Sequence, residues 1–369
     1  MGTSPDMNSL AARDATRPSS KALPARDHRI RRVLVCLDRS PFSEIVLPYA
    51  LCMSKTFGSA LTLVHVLEPR HERSGPRSGP RTGPQSTDAV GWEISRREAS
   101  EYLERIERQA AELSGQRVDV RLEQGHPAER ITALAHELAV DLTVLGSHGE
   151  GGVAPWNLGS TAQQVLAVAR SSVLVARTSH SLVRAIPAAE PLCPRRILVP
   201  LDGSQRTESV LPTATRIANI HGAELLLVHV VDEPQPTGVL CTAEDLDLAR
   251  DLAARLEASA RRYLDHIRDQ LAREGGSARA LVIRHADAHQ VLLELAHRED
   301  VDLVVLSAHG TTCNAARPFG NVTAHLLAHS TVPLLVLQDL PEPELQRAAE
   351  PIDEEVAPPL RASFAPGAN

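Results

Sequence analysis

The chain has 369 residues and a mass of 39.8 kDa, a length that favours two domains over one. No apolar run reaches the roughly 18–20 residues that a membrane-spanning helix needs, and the polar segment 1–32 predicts no signal peptide. The net charge of -7 and the aromatic content of 2% argue against nucleic-acid binding, which needs a basic footprint and, for single strands, stacking aromatic rings. We expect a soluble cytoplasmic protein without membrane or nucleic-acid partners.

Runs of Val, Leu and Ile, about four to eight residues long, alternate with amphipathic stretches along the chain. Such runs are typical of buried parallel strands, and the alternation predicts a doubly wound α/β fold. The predicted strands of the first half lie near 32–37, 60–67, 117–123, 142–146 and 172–177. Those of the second half lie near 196–201, 224–231, 279–284, 303–307 and 333–337. Right-handed crossovers would then cover both faces of each sheet with helices.

The two halves of the chain repeat each other. Residues 31–40 align with 195–204 at an offset of 164 residues, and the alignment continues without a gap through the second strand. Residues 146–149 align with 307–310 at an offset of 161, so the second copy lacks three residues between these blocks. This pattern indicates a tandem duplication of one domain.

The duplication divides the chain into five segments. Residues 30–178 and 195–338 form the two domains, and 179–194, which is rich in Pro, Ala and Ser, is predicted to be a linker. Residues 1–29 and the acidic, proline-rich residues 339–369 are predicted to be disordered tails.

A glycine-rich segment follows the fourth predicted strand. It consists of Gly146-Ser-His-Gly149, nine further residues and then Gly159-Ser160, where a helix begins. Ligands of open parallel sheets bind beyond the carboxyl ends of the strands, where the strand order reverses. A helix N-terminus at that place offers N–H groups to a phosphate. We therefore predict a phosphate-binding loop, to which Ser160 and Thr161 add hydroxyl donors.

Other positions near the same edge would complete a nucleotide site. The carboxylate of Asp38, at the end of the first strand, could bind a ribose hydroxyl or an adenine amine, or it could cap the following helix. The backbone at Val66 could pair with an adenine edge, or this residue could simply be buried in its strand. A protonated His148 could hydrogen-bond to a phosphate. The Gly-Pro-Arg repeat at 75–84 predicts a flexible surface loop, whose arginines could also reach a bound anion.

The order of these motifs resembles the universal stress protein family in its tandem two-domain form. The resemblance rests on Leu-Asp-x-Ser at 37–40, Leu-Val-His-Val at 63–66, and Gly-x2-Gly-x9-Gly-Ser from 146 to 160. It covers nearly all of the two predicted domains. The family's fold implies a five-stranded parallel sheet of order 3-2-1-4-5 in each domain. It also implies pairing of the two domains through their fifth strands, within one chain as an intramolecular pseudo-dimer or between chains in a homodimer.

Carried over by position, the resemblance implies an adenine-nucleotide site for ATP, ADP or AMP, with Mg²⁺ as an optional companion of ATP. Its residues in the first domain would be Asp38, Val66, Gly146, Ser147, His148, Gly149, Gly159, Ser160 and Thr161. Their counterparts in the second domain would be Asp202, Val230, Gly310, Gly320 and Asn321. There Ser307 replaces the first glycine and Asn321 replaces the serine. We therefore expect the second domain to bind nucleotide more weakly or not at all.

Three functions are compatible with these observations. We favour a non-enzymatic stress-response regulator, in which bound nucleotide alters domain packing or the binding of a protein partner that the sequence does not identify. A slow ATP hydrolase is the second, but the loop has no lysine and the chain shows no paired carboxylates for two-metal chemistry. The third is an interaction module that has lost its ligand. We predict no catalytic residues and at most weak ATPase activity.

Histidines and cysteines give no further site at the level of sequence. The pairs His285/His289 and His325/His329 would each share a helix face, but no cysteine or zinc motif accompanies them. The cysteines are scattered, odd in number and without a C-x-x-C pair, which indicates neither a disulfide framework nor a zinc ribbon. They are Cys36, Cys52, Cys193, Cys241 and Cys313. We predict no metal site and a reducing compartment.

Overall fold

A computed structural model describes residues 29–68, 89–148, 158–177, 191–232, 242–312 and 317–339. The predicted N-terminal tail, the Gly-Pro-Arg repeat, Gly149, most of the linker and nearly all of the acidic tail lie outside these described residues. Within them, no helix has both the length and the apolar character needed to cross a bilayer.

In the described part of the chain, ten strands lie where the sequence predicts them, each boundary within one residue of the prediction. In the first domain they are β1 (Arg32–Leu37), β2 (Ala60–Leu67), β3 (Val118–Gln124), β4 (Leu142–Gly146) and β5 (Ser172–Ala176). In the second domain they are β6 (Arg196–Pro200), β7 (Glu224–Val231), β8 (Ala278–Arg284), β9 (Leu303–Ser307) and β10 (Leu334–Leu337).

Helices connect the strands in the same order in both domains. In the first they are α1 (Pro41–Glu44), α2 (Val46–Phe57), α3 (Ala89–Ser114), α4 (Pro127–Glu137) and α5 (Ser160–Ala167). In the second they are α6 (Gln205–Glu208), α7 (Leu211–His221), α8 (Ala243–Arg273), α9 (Ala288–Arg298) and α10 (Asn321–His329). Both α2 and α7 end at a glycine, Gly58 and Gly222, with φ of 69° and 68°. Glycine adopts this left-handed conformation without a steric penalty, which explains where these helices stop.

All ten strands form one sheet of order β3-β2-β1-β4-β5-β10-β9-β6-β7-β8. Each domain therefore has the predicted order 3-2-1-4-5, with parallel pairs throughout. The two domains meet through β5 and β10, which pair antiparallel with Val173 opposite Val336 and Val175 opposite Leu334. The predicted meeting of the two edge strands within one chain is confirmed. Their backbone groups are thereby paired rather than left as an open edge, which would template aggregation.

The sheet separates two apolar layers, and each layer continues across the domain junction. Along β1, Val33 and Val35 face the layer that includes α2 and α3, whereas Leu34 faces the layer that includes α4 and α5. This alternation is the period-2 geometry of a strand covered on both faces. It explains why the strands are nearly continuous apolar runs in the sequence.

A buried arginine reinforces the junction. Arg177 follows β5 and is 6% exposed, and its Nη2 donates to the carbonyls of Leu326 and Leu327 near the C-terminus of α10. Burial lowers the pKa of this guanidinium to about 10, so the group stays charged at neutral pH. A cation at a helix C-terminus interacts favourably with the helix dipole, so this contact joins the first domain to the second.

Candidate functional site

Those predicted site residues of the first domain that the structure describes lie at the carboxyl edge of its strands, on either side of the point where the strand order reverses. There β1 pairs with β2 on one side and with β4 on the other. Asp38 directly follows β1, and Ser147 directly follows β4. Parallel neighbours end at the same edge, so the two loops open next to each other, in the position where doubly wound folds bind ligands.

Asp38 holds the turn between β1 and α1 without capping the helix itself. The N-cap is Ser40, whose Oγ accepts a hydrogen bond from the Ser43 N–H at 3.1 Å. Asp38 Oδ1 in turn accepts from the Ser40 N–H at 2.9 Å and from the Ser40 hydroxyl at 2.6 Å. The carboxylate is thus fixed at the switch point, and the simple N-cap interpretation of Asp38 is wrong because Ser40 has that role.

Arg39 adopts a backbone conformation that arginine rarely takes. Its φ is 70°, and the equivalent residue of the second domain is Gly203, with φ of 81°. The left-handed region is disfavoured for a residue with a Cβ by about 1–2 kcal/mol. The side chain of Arg39 recovers little of this, because its ion pair with Glu98 spans 3.6 Å and is largely exposed.

We expect Arg39→Gly to raise the free energy of unfolding by up to about 1 kcal/mol, because glycine takes this φ without strain. Arg39→Ala is the matched control, since it removes the same ion pair but keeps the unfavourable φ, and it should not stabilise. Chemical denaturation of the three proteins measures the difference. Equal stability of the Gly and Ala variants would contradict the interpretation.

The two ends of the glycine-rich segment are tied together by backbone hydrogen bonds. The Gly159 N–H donates to Ser147 O at 2.7 Å, and the Ser147 N–H donates to Ala176 O at 2.9 Å. These bonds hold the N-terminus of α5 against the end of β4, with Gly159 as the N-cap and Ser160 and Thr161 in the first turn. Ser147 is 1% exposed and uses both backbone groups within the fold, which makes it a positioning residue.

The structure does not itself require a glycine at position 159. Its φ of -61° and ψ of 155° are open to any residue. An added Cβ would lie 3.5 Å from Ser147 O and 3.7 Å from His148 Cα, which is ordinary contact. A small residue here leaves room outside the first turn of α5, where a phosphate would approach the helix N–H groups.

Three further predicted residues of this domain are placed as follows. Gly146 ends β4 opposite Ala176 of β5. The side chain of Val66 is 9% exposed and packs in the layer that includes α4, so only its backbone is available to a ligand. Burial and the nearby charge of Arg177 lower the pKa of His148. Both effects disfavour the protonated imidazole in the structure without ligand.

In the second domain the equivalent carboxylate is bonded to its own loop. Asp202 Oδ2 accepts from the Thr311 N–H and the Thr311 hydroxyl, both at 2.7 Å. Oδ1 accepts from the Ser204 N–H at 2.9 Å and the Thr207 hydroxyl at 2.8 Å. Burial would raise the pKa of Asp202, but the hydrogen bonds from Ser204 and Thr311 prevail and lower it to about 2. A Cβ at Gly310 would collide with Oδ2, so this glycine is needed for the close approach of loop and carboxylate.

A second set of contacts fixes the same loop from the other side. His309, whose side chain is fully buried, bonds through Nδ1 to Asp339 Oδ1 and through Nε2 to Arg317 O, each at 2.8 Å. Asp339 also pairs with Arg206 Nη1 of α6 at 2.5 Å. Both ring nitrogens of His309 are therefore engaged and cannot contact a phosphate. We refer to Arg206, His309, Arg317 and Asp339 as the loop lock.

The loop lock is the main feature that the sequence does not reveal. Asp339 is the first residue of the segment predicted as a disordered tail, yet its side chain is 4% exposed. The ordered chain thus continues through at least this residue. The position of Asp339 in the sequence could have indicated this role, because the residue follows a buried strand at the same sheet edge as Asp202.

The remaining predicted residues of the second domain keep the framework of the first. Gly320 is the N-cap of α10 and its N–H donates to Ala308 O at 2.8 Å, as Gly159 does to Ser147. Asn321 is exposed at the start of the helix, and Val230 is half-buried in β7. Ser307 is 4% exposed, and its Oγ has no hydrogen-bond partner in the described part of the chain. The two domains thus share a scaffold, and they differ in what occupies the space around the carboxylate.

Metal-ligand geometry occurs away from this edge. Within the described ranges, one group of three His, Cys, Asp or Glu side chains brings its ligand atoms within 4.8 Å of one another, namely Cys52, Cys193 and His221. The helical pairs noted in the sequence do not form such a group there. His325 instead stacks on His329 with ring centroids 4.2 Å apart.

Comparison with known proteins agrees with the twofold architecture. The sequence model of the universal stress protein family matches residues 29–177 and 194–338. Universal stress protein MJ0577 of Methanocaldococcus jannaschii is 23% identical over 156 residues, which are 39% of this chain and 94% of that protein. A universal stress protein of Thermus aquaticus is 30% identical over 148 residues, 40% of this chain and 98% of that protein. The crystal structure of a universal stress protein from Archaeoglobus fulgidus covers 85% of this chain and all of its own, with 18% identity and a TM-score of 0.55, which is a likeness of fold.

Proposed function

We propose, because the chain belongs to the universal stress protein family, that its first domain binds an adenine nucleotide and that occupancy of this site regulates a stress response. One observation carries the proposal. In the second domain the carboxylate after the first strand hydrogen-bonds directly to the glycine loop after the fourth strand, through Asp202 and Thr311. The equivalent described residues of the first domain are Asp38 after β1, Gly146 to His148 at the end of β4, and Gly159 before α5, so one small ligand at this edge would contact both elements.

Each part of the nucleotide has a matching element in the first domain. The Asp38 carboxylate suits a ribose hydroxyl, and the backbone of Val66 suits an adenine edge. The N-terminus of α5, with Ser160 and Thr161, suits phosphate oxygens because it combines N–H donors with the positive end of the helix dipole. Asp38 is the one carboxylate among the described residues of this site, and its Oδ1 already accepts two hydrogen bonds. The protein therefore offers few ligands for Mg²⁺, and the ion would be held mainly by the phosphates of ATP.

We further propose that the site binds nucleotide without turning it over. Phosphoryl transfer requires a positioned water or acceptor and neutralisation of the charge on the γ-phosphate. Among the described residues, burial and the charge of Arg177 lower the pKa of His148, and Asp38 hydrogen-bonds to Ser40 in the turn before α1. These groups favour binding of a ground-state phosphate. A cytoplasmic location and an unidentified protein partner remain predictions from the sequence.

The second domain fits a different role, that of an interaction or structural half. Its carboxylate and its loop histidine are both engaged by the chain itself. Any ligand would first have to break these contacts. We propose that one nucleotide binds per chain and that the second domain contributes rigidity and surface.

The decisive experiment identifies what the full chain binds and what becomes of it. We expect mass spectrometry of the nucleotide released from purified protein to give close to one equivalent of an adenine nucleotide. Added ATP should be recovered intact, with turnover far below the order of 1 s⁻¹ at the slow end of typical enzymes. Turnover of several per second would establish the hydrolase instead. If the protein binds none of ATP, ADP and AMP, the result would favour the third function, an interaction module that has lost its ligand.

A further inference from the structure

Three side chains from distant parts of the sequence meet where the two domains join. Cys52 lies on α2, Cys193 lies in the segment that leads into β6, and His221 is the last residue of α7. Their ligand atoms all lie within 4.8 Å of one another, and Cys52 Sγ is 3.4 Å from His221 Nε2. Helix α2 runs back from the carboxyl ends of the first domain's strands, so its C-terminal end lies at the opposite edge of that domain from the candidate nucleotide site.

The internal repeat shows that the fold does not need this arrangement. At the offset of 164 residues, Cys52 corresponds to Arg216 and His221 corresponds to Phe57. The equivalent contact across the junction is therefore the pair of Arg216 and Phe57, in which the guanidinium lies 5.3 Å from the ring centroid. One side of the junction is closed by a cation–π contact and the other by a thiol and an imidazole. The third member, Cys193, corresponds to Arg29.

We propose that Cys52, Cys193 and His221 bind one Zn²⁺, with a water completing the tetrahedron. Sulfur and imidazole nitrogen are the donors that zinc prefers. Zn–S bonds of about 2.3 Å and a Zn–N bond of about 2.0–2.1 Å in tetrahedral geometry place sulfur and nitrogen about 3.6 Å apart. The observed separation of 3.4 Å between Cys52 Sγ and His221 Nε2 is close to this expected sulfur–nitrogen distance. Cys193 is exposed, which gives the metal and the water access from solvent.

Zinc binding at this site depends on pH because cysteine binds the metal as a thiolate and histidine binds it as a neutral imidazole. Binding then forms two Zn–S bonds and one Zn–N bond and releases both thiol protons to solvent, so affinity must rise with pH.

One hydrogen bond is exchanged in the process. The Thr56 hydroxyl donates its proton to Cys52 O and lies 2.8 Å from His221 Nε2. Because that proton is already used, His221 Nε2 carries a hydrogen and donates it to the hydroxyl oxygen. On zinc binding this N–H proton moves to Nδ1, and Nε2 becomes the ligand. The metal would thereby tie α2 of the first domain to the entry segment and to α7 of the second, so it should stabilise the domain junction.

The test uses the full chain, stripped of metal and kept reduced. Titration of Zn²⁺ against a chromophoric chelator should give one site per chain, with affinity that rises with pH. Co²⁺ in its place should give sulfur-to-metal charge-transfer absorption and the visible bands of a tetrahedral site. Zn²⁺ should also raise the unfolding temperature. Each of Cys193→Ser and His221→Gln should weaken Zn²⁺ binding by more than about 100-fold, beyond what the loss of an outer-shell partner costs.

Matched controls separate ligand loss from general damage. Cys36→Ser removes a thiol from β1, and His266→Gln removes an exposed imidazole from α8. Both variants should bind one Zn²⁺ with unchanged affinity. The proposal is overturned if wild-type protein binds no stoichiometric Zn²⁺, or if Cys193→Ser binds it as tightly as wild type. It is also overturned if Cys52 and Cys193 are joined by a disulfide in protein purified without reductant and the reduced protein binds no metal.

Discussion

Replacing Gly159 by valine is expected to lower the affinity for ATP by at least about 100-fold, or about 2.7 kcal/mol, while the fold persists. The backbone at this position has φ of -61° and ψ of 155°, which valine adopts readily. The new Cβ makes ordinary contacts with Ser147 and His148. The branched side chain would then take the space in front of the first turn of α5, which a phosphate needs. Isothermal titration calorimetry with ATP measures the loss, and circular dichroism checks the fold.

The second domain provides the matched control. Gly320 is the N-cap of α10 with φ of -71° and ψ of 170°, and an added Cβ there would lie 3.6 Å from Ala308 O. Gly320→Val therefore makes the same change on the same scaffold. We expect it to leave ATP affinity unchanged, because Asp202 is already bonded to Thr311. Loss of binding in Gly320→Val but not in Gly159→Val would move the nucleotide to the second domain.

The strand boundaries could be predicted closely because a strand buried on both faces is a short, continuous run of apolar residues. β4 and β9, for example, are central strands covered on both faces, and each is an apolar run with one hydroxyl residue, Thr143 in β4 and Ser307 in β9. Glycine after a helix is a local signal of the same kind, and Gly58 and Gly222 follow the last residues of α2 and α7. Such signals act over a few residues, and the chain carries each of them twice.

Contacts between distant residues could not be predicted in this way. The partner of β5 followed from the family resemblance, because an edge strand does not encode its neighbour in its own sequence. Cys52 and His221 are 169 positions apart, and Arg206 and Asp339 are 133 apart. Alignment of the two copies gives no indication of the loop lock. Arg206 and Asp339 correspond to Phe42 and Thr178, which cannot form an ion pair. Asp339 also looked like tail because the residues after it are acidic and rich in proline.

Asp339→Asn is expected to lower the free energy of unfolding by about 3 kcal/mol at neutral pH. The side chains of Asp339 and His309 are 4% and 0% exposed, and Arg206 is partly buried at 27%. Removing the carboxylate charge breaks the ion pair with Arg206 and deprives His309 of a charged acceptor. Breaking a buried pair from one side costs about 3–5 kcal/mol, and the partial exposure of Arg206 places the effect at the lower end. Chemical denaturation followed by circular dichroism measures it.

The exposed pair of Asp247 and Arg250 is the control for this experiment. Its atoms are 3.1 Å apart and both side chains are about three-quarters exposed, so Asp247→Asn should change stability by no more than about 0.5 kcal/mol. An Asp339→Asn effect as small as that would show that the loop lock does not stabilise the fold.

The pH dependence of the stability difference between wild type and Asp339→Asn separates the charge of Asp339 from packing, because packing does not titrate. Burial would raise the pKa of Asp339, but hydrogen bonds and the charges of His309 and Arg206 lower it below its ordinary value of 3.8. A carboxyl group whose pKa is lower in the folded state contributes stability above its unfolded pKa and loses that contribution as the pH falls. The difference between wild type and Asp339→Asn should therefore be constant above about pH 5 and shrink below about pH 4. A difference independent of pH down to pH 2 would assign the loss to packing and not to the charge of Asp339.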